Sequence, residues 1–168
     1  MEEIDGYYKH STALVYGKVS IGKDSSLWPY SVIRSEMFYV EIGEGTNIQD
    51  HAMIHIGDDT PTIIGDHTSI THRAVVHGAK IGNNCIIGVG AVILDGAVIG
   101  DNCIIGAGAV VEAKANIKSN SIVVGSPAKV IAEIDYSEKN KYNAEVYAAN
   151  AKAYAEGNFR VWEEIIPH

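Results

Sequence analysis

With 168 residues, 46% of them apolar, the chain suits one domain with a continuous core. A formal charge of −8, with 13 Lys and Arg residues scattered and no basic stripe, excludes nucleic acid as a partner. Two cysteines without C-x-x-C spacing exclude a disulfide framework and a zinc ribbon. The chain opens Met1-Glu2-Glu3-Ile4-Asp5-Gly6, acidic where a signal or transit peptide needs basic residues, so a cytoplasmic location is expected. The most apolar stretch, Cys85 to Leu94, is cut by Gly88 and Gly90 and stops at Asp95. It falls far short of the ~20 residues that cross a bilayer, and no membrane span is expected.

From Val15 onward an aliphatic residue returns every six positions. It occurs at Val15, Ile21, Leu27 and Ile33, then at Ile42, Ile48 and Ile54, then at Ile64, Ile70 and Val76, and finally at Ile81, Ile87, Ile93, Ile99, Ile105, Val111, Ile117 and Val123. Two residues before each stands a small side chain or valine, from Ala13 and Val19 through Thr68 and Cys85 to Ser121. Both positions face inward with one outward residue between them, as strand alternation requires, and the Gly or Asn that often precedes the small residue tolerates positive φ at a turn. A hexapeptide of this kind cannot bury its apolar face alone, so successive rungs stack at about 4.8 Å into a parallel solenoid. A helix is excluded because a period of six makes no stripe at 3.6 residues per turn. The pattern resembles the hexapeptide-repeat family, which implies a left-handed parallel β-helix with three hexapeptides per triangular coil. Eighteen repeats then make about six coils, and residues three repeats apart stack on one face.

The period stops at Gly125-Ser126-Pro127-Ala128-Lys129. Ser137 to Gly157 reads as a helix with Ser137 as cap, Gly157 as stop, and an apolar face of Tyr142, Val146, Ala149 and Ala153 beside Tyr147 and Tyr154. Phe159, Val161, Trp162, Ile165 and Ile166 form an apolar tail expected to dock. The expected organisation is therefore an all-β β-helix over 1–130 and a C-terminal α-helix with its tail over 131–168.

Ile33, Ile54 and Val76 are the fourth, seventh and tenth aliphatics and share a face; Arg34, His55 and His77 follow them. Two imidazoles one rung apart can converge on one ion, and catalytic zinc takes three protein ligands with one position open. The third ligand expected is His72, after the ninth aliphatic and at a different corner, so a neighbouring chain must supply it. Metal binding then requires a homotrimer with three equivalent interfacial sites. Asp50 stacks beside His72 and is expected to orient its ring, while Gln49 is expected to contact the metal-bound water. Arg34 and Glu36 are read as a salt bridge between chains. His10, His51, His67 and His168 are read as surface residues, and Cys85 and Cys103 as inert buried thiols.

Trp28-Pro29, Arg34-Ser35-Glu36, Ile42 to Asp50, Ile54-His55 and Thr71-His72-Arg73-Ala74-Val75-Val76-His77-Gly78 resemble the gamma-class carbonic anhydrase family over about residues 10 to 130, with Asn143-Ala144-Glu145-Val146-Tyr147 also family-like. The resemblance implies a lyase that hydrates carbon dioxide reversibly to bicarbonate by metal-bound hydroxide. It also implies Zn2+, Fe2+ or Co2+ on His55, His72 and His77, with Arg34, Glu36 and Gln49 at the catalytic site. Glu36 stands where the family usually has Asp. The loop Ile56-Gly57-Asp58-Asp59-Thr60-Pro61 lacks the long acidic insertion whose glutamate shuttles protons, leaving Glu36, Asp58, Asp59 or buffer to export the proton. Two other functions fit the repeat: an acyltransferase using acetyl-CoA or another acyl-CoA, since Gly-x-Pro-Ala-Lys occurs in both groups, and a metal-binding trimeric scaffold with little catalysis.

Overall fold

A computed structural model describes residues 1–159. The hexapeptides form a parallel β-helix of about six coils followed by one C-terminal helix. Every aliphatic from Val15 to Ile105 pairs with the one three repeats later: Val15 with Ile33, Ile33 with Ile54, Ile54 with Val76, Val76 with Ile93 and Ile93 with Val111 on one face, and likewise on the other two. The three departures from period six, after Ile33, Ile54 and Val76, fall at a single corner. The extra residues let Val32–Ile42 run on as one strand across that corner, joining two faces into a ten-stranded sheet. The first face is a nine-stranded sheet from Glu2–Ile4 to Lys129–Glu133.

The interior is the stacked aliphatic column together with the small residues two before each. At fourteen corners the residue preceding that small one has φ between 50° and 70°. Asn and Gly fill most of these positions, but Tyr30, His51, Arg73 and Lys114 occupy the same left-handed geometry, at about 1–2 kcal/mol each. His67 shares this geometry and is only partly exposed, where a surface position is expected. It lies partly buried against Gly45, where a Cβ would stand 2.5 Å from its Nδ1, and this nitrogen has no partner among the described residues.

One corner solves its backbone satisfaction with an internal ladder. Ser25 Oγ donates to the Gly43 carbonyl and accepts from Thr46 N–H; Thr46 Oγ1 donates to Gly65 and accepts from Thr68 N–H; Thr68 Oγ1 donates to Gly82 and accepts from Cys85 N–H. The thiols continue the series, Cys85 to Gly100 and Cys103 to Lys118, each at 3.1 Å. The cysteines therefore stand where a small polar side chain is needed. Contact with Cys103 and burial push the Cys85 thiol upward, which keeps it protonated and unreactive.

Two antiparallel strands not expected from the period close the ends. Glu2–Ile4 pairs with Tyr7–Lys9 at one end, and Lys129–Glu133 pairs with Ser121–Val124 at the other, across the expected division at residue 130. The helix spans Ser137–Ala155 and returns along the first face. Ser137 is not its cap: the carboxylate of Asp135 accepts the Ser137 N–H at 2.8 Å, since a side chain two residues earlier reaches the first free amide. Gly157, with φ 77°, follows the last turn as expected. The packed face is Asn140, Ala144, Tyr147, Ala151 and Tyr154, with Tyr142 half exposed. The expected stripe is turned aside because alanines allow close approach, while Asn140 bonds the Asn84 carbonyl and Trp28 fits between the Tyr147 and Tyr154 rings at 5.4 and 5.3 Å. Phe159 meets Tyr154 edge-on at 4.9 Å; Val161, Trp162, Ile165 and Ile166 lie outside the described residues.

Replacing Thr68 by Val keeps its shape but strands the Cys85 N–H and the Gly82 carbonyl. Thr68→Val is expected to destabilise the fold by about 1–3 kcal/mol for each stranded group, whereas Thr68→Ser retains most of the stability. Denaturant midpoints at matched protein concentration check this.

Candidate metal centre

Strands Met53–His55 and Val75–His77 pair in parallel with His55 opposite His77, and Val32–Ile42 places Arg34 opposite His55 one rung below. Strand alternation turns Ile54 and Val76 inward, so the next side chains emerge at the corner. His55 Nδ1 and His77 Nε2 face one another at 3.0 Å, with ring centroids 4.9 Å apart. Neither ring is free to turn. Glu36 Oε2 accepts from His55 Nε2 at 2.9 Å, and Asp95 Oδ1 bonds His77 Nδ1 from the rung above. Arg34 Nη1 donates to Glu36 Oε1, so within one chain Arg34 and Glu36 pair with each other. The hydrogen bond from His55, supported by the Arg34 charge, holds the Glu36 carboxyl below the usual carboxylate range.

The short loop after His55 is drawn against this corner. Ile56 is buried, Gly57 N–H donates to the Thr60 carbonyl, Thr60 Oγ1 to the Gly78 carbonyl and Thr62 Oγ1 to the His55 carbonyl. Gly57 has no room for a side chain: a Cβ would come within 2.4 Å of Thr60 Oγ1 and 3.3 Å of the Asp95 carboxyl. Asp58 and Asp59 are exposed at the loop tip.

His72 lies in the turn between Ser69–Ile70 and Val75–His77, at the preceding corner, with Asp50 Oδ2 3.2 Å from its Nδ1. Gln49 is buried, and its amide nitrogen donates to Asn47 Oδ1; Asn47 donates to Ser69, whose hydroxyl donates to Asn143 of the helix, each at 2.9 Å. A groove of about 650 Å³ opens between helix and solenoid here, lined by Trp28, Asp50, His72, Tyr142, Val146 and Tyr147 among others. Among the described residues no three His, Cys, Asp or Glu side chains of a single chain are grouped to hold a metal. The chain joins His55 to His77 and leaves His72 at another corner. Sequence reasoning missed Asp95, although it stands two residues after Ile93, one rung above Val76; it also missed the Asn47, Ser69 and Asn143 relay.

The donor set suits a divalent cation. With the His55 Nε2 proton on Glu36 and the His77 Nδ1 proton on Asp95, the facing Nδ1 and Nε2 both carry lone pairs, which repel unless something positive lies between them. Nitrogen ligands at about 2.0–2.1 Å around a tetrahedral ion stand about 3.3 Å apart, close to the 3.0 Å separation found. Asp50 on His72 Nδ1 leaves His72 Nε2 as the outward nitrogen, the same carboxylate-backed arrangement.

Residues 78–113 match the model of the bacterial transferase hexapeptide (six repeats), and residues 61–94 that of the hexapeptide repeat of succinyl-transferase. The chain is 51% identical over 126 residues to a Methanocaldococcus jannaschii protein named "Probable carbonic anhydrase", covering 75% of this chain and 79% of that one. It is 40% identical over 141 residues to the carbonic anhydrase of Geobacillus kaustophilus, covering 76% and 78%. Among solved structures, a hexapeptide transferase family protein from Anaplasma phagocytophilum superposes with a TM-score of 0.78 at 32% identity, over 88% of this chain and 92% of that one. Stacked hexapeptides, paired His55 and His77 at one corner, and this extent of identity give one conclusion: the chain belongs to the gamma-class carbonic anhydrase family.

Proposed function

We propose that the protein is a homotrimeric, metal-dependent lyase that interconverts carbon dioxide and bicarbonate, with each cation held by His55 and His77 of one subunit and His72 of its neighbour. The observation that carries this reading is the pair of imidazole nitrogens facing one another at 3.0 Å, each ring held from behind by a carboxylate. An acyltransferase needs one basic histidine rather than a converging set, and a metal-binding scaffold shares the imidazoles but would not hydrate carbon dioxide. Zinc, with Fe2+ or Co2+ as alternatives, suits three imidazoles.

Trimerisation is supported by the second face. Its outward residues Leu14, Val32, Met53, Val75, Val92 and Val110 stack in register as an unbroken apolar column, flanked by His72 at one corner and His55 with His77 at the other. The outward residues in register on the third face are Ser20, Glu41, Ile63, Lys80, Val98 and Asn116, a mixed and largely polar set, and the helix covers part of the first. An apolar column of this length calls for a partner, and a second copy of the chain brings the missing imidazole.

A bound divalent cation lowers the pKa of water from ~15.7 to about 7 and so supplies the nucleophile for carbon dioxide at neutral pH. The chain's own residues do the rest. Glu36 and Asp50 keep the His55 and His72 rings in the tautomer that presents a lone pair. Gln49, its amide nitrogen engaged by Asn47, turns its carbonyl toward the proton of the reacting water, and the Asn47, Ser69 and Asn143 relay fixes that orientation to the helix. Hydration releases one proton with each bicarbonate. Both oxygens of Glu36 are engaged, so the exposed Asp58 and Asp59, or buffer, carry it away.

Carbon dioxide hydration in concentrated buffer is expected from the metal-loaded protein and to be absent, above background, from His72→Ala. Co-expressing His72→Ala with His77→Ala subunits tests the interface directly. Each mixed trimer contains one interface with all three histidines, so metal and activity return, whereas a site built within one chain stays dead in every mixture. Val75→Glu, in the middle of the apolar column, is expected to yield a folded monomer without metal, read by light scattering and elemental analysis. A metal-loaded wild-type trimer with no hydration would overturn the lyase, and acyl transfer from acetyl-CoA by metal-stripped protein would replace it.

A further inference from the structure

We propose that Asp95 is a positioning residue for the metal, acting through His77; the inference rests on the reading of His55 and His77 as ligands. Its carboxylate belongs to the rung above, in the turn after Val92–Ile93, and bonds Nδ1 of His77, the ring nitrogen remote from His55. It therefore stands behind the imidazole and not beside it as a further ligand. Held this way, His77 keeps its proton on Nδ1 and aims the Nε2 lone pair at His55 Nδ1. In water an imidazole favours the opposite tautomer, with the proton on Nε2, which would put an N–H where the cation belongs.

Asp95 is itself held in place. Lys114 N–H donates to its backbone carbonyl at 2.8 Å, and its carboxyl carbon lies over Gly57, where an added Cβ would come within 3.3 Å of it. The loop from Ile56 to Pro61 is tied to the same corner through Thr60 and Gly78. The shortened loop thus acts as a seat for the Asp95 carboxylate. Glu36 serves His55 from below in the same way, so the two ligand rings of one chain are clamped between carboxylates on the outer rungs of a four-rung column: Glu36, His55, His77 and Asp95.

The test uses the full-length trimer and does not depend on turnover. Nitrogen-15 spectra of the metal-free protein at pH 8.5 are expected to show the His77 proton on Nδ1 in the wild type and on Nε2 in Asp95→Leu. Asp95→Asn, which keeps an acceptor oxygen, is expected to preserve the wild-type tautomer. Zinc competition against a chromogenic chelator should weaken about 10- to 100-fold in Asp95→Leu and less in Asp95→Asn, with trimer mass and metal-free melting temperature unchanged. A wild-type His77 carrying its proton on Nε2, or equal zinc affinity in Asp95→Leu and wild type, would overturn the proposal. Failure of the wild type to take up zinc would instead overturn the ligand reading, while the tautomer measurement would still report on Asp95.

Discussion

The parallel stacking of each rung on the one three repeats earlier is the constraint from which everything else here follows. At about 4.8 Å per rung it brings residues 22 apart in sequence, such as His55 and His77, into contact along the axis. Because strand alternation fixes which side chains point inward, a residue next to a core aliphatic has no freedom in where it emerges. A corner of the solenoid is thus a column of positions at nearly constant separation, and chemistry can be assembled by writing the right residue once per coil.

The three corners use this property differently. One is spent on internal order: Ser25, Thr46, Thr68, Cys85 and Cys103 relay hydrogen bonds between rungs, and buried cysteine takes over where hydroxyls leave off. A second presents His72 with Asp50 to the groove beneath the helix. The third holds Arg34, Glu36, His55, His77 and Asp95, and it is also where every break in the period falls. Extra residues there cost little, because a corner is surface and loop length is thermodynamically forgiving. They allow Glu36 to reach a histidine on the next rung and the loop after His55 to fold against Asp95. The column places two facing imidazoles between two carboxylates, Glu36 below and Asp95 above.

On the proposed reading, rigidity is why one subunit is insufficient. A solenoid with its core packed on every rung cannot bend one corner toward another, so His72 and the His55 and His77 pair remain apart in any single chain. The apolar column on the second face lies between them. Burying it against a copy of the chain and completing the donor set are, on the proposed reading, one and the same event, which couples metal uptake to assembly.

The six-residue period by itself determined a stacked solenoid and its core, because a repeat with a fixed inward position must bury that column; with three hexapeptides per coil, which the resemblance to the hexapeptide-repeat family implies, the spacing also gave the register of each rung and the adjacency of His55, His77 and Arg34. It also located Asp50 one rung from His72 and the cysteines inside. Tertiary structure alone decided the rest, for identifiable reasons. Asp95 was invisible because its offset from Ile93 differs by one residue from that of His77 from Val76, and only side-chain reach closes the gap. Tyr136, not Ser137, stands at the cap position with Asp135 accepting the Ser137 N–H, and the helix rotates to put Asn140, Ala144 and Ala151 inward, because polar partners on the solenoid and close approach outweigh its own weak apolar stripe. The closing strands Glu2–Ile4 and Lys129–Glu133 carry no period at all; unpaired backbone at the ends of the stack recruits them. Periodic sequence encodes what repeats, and the contacts that occur once must be read from the folded chain.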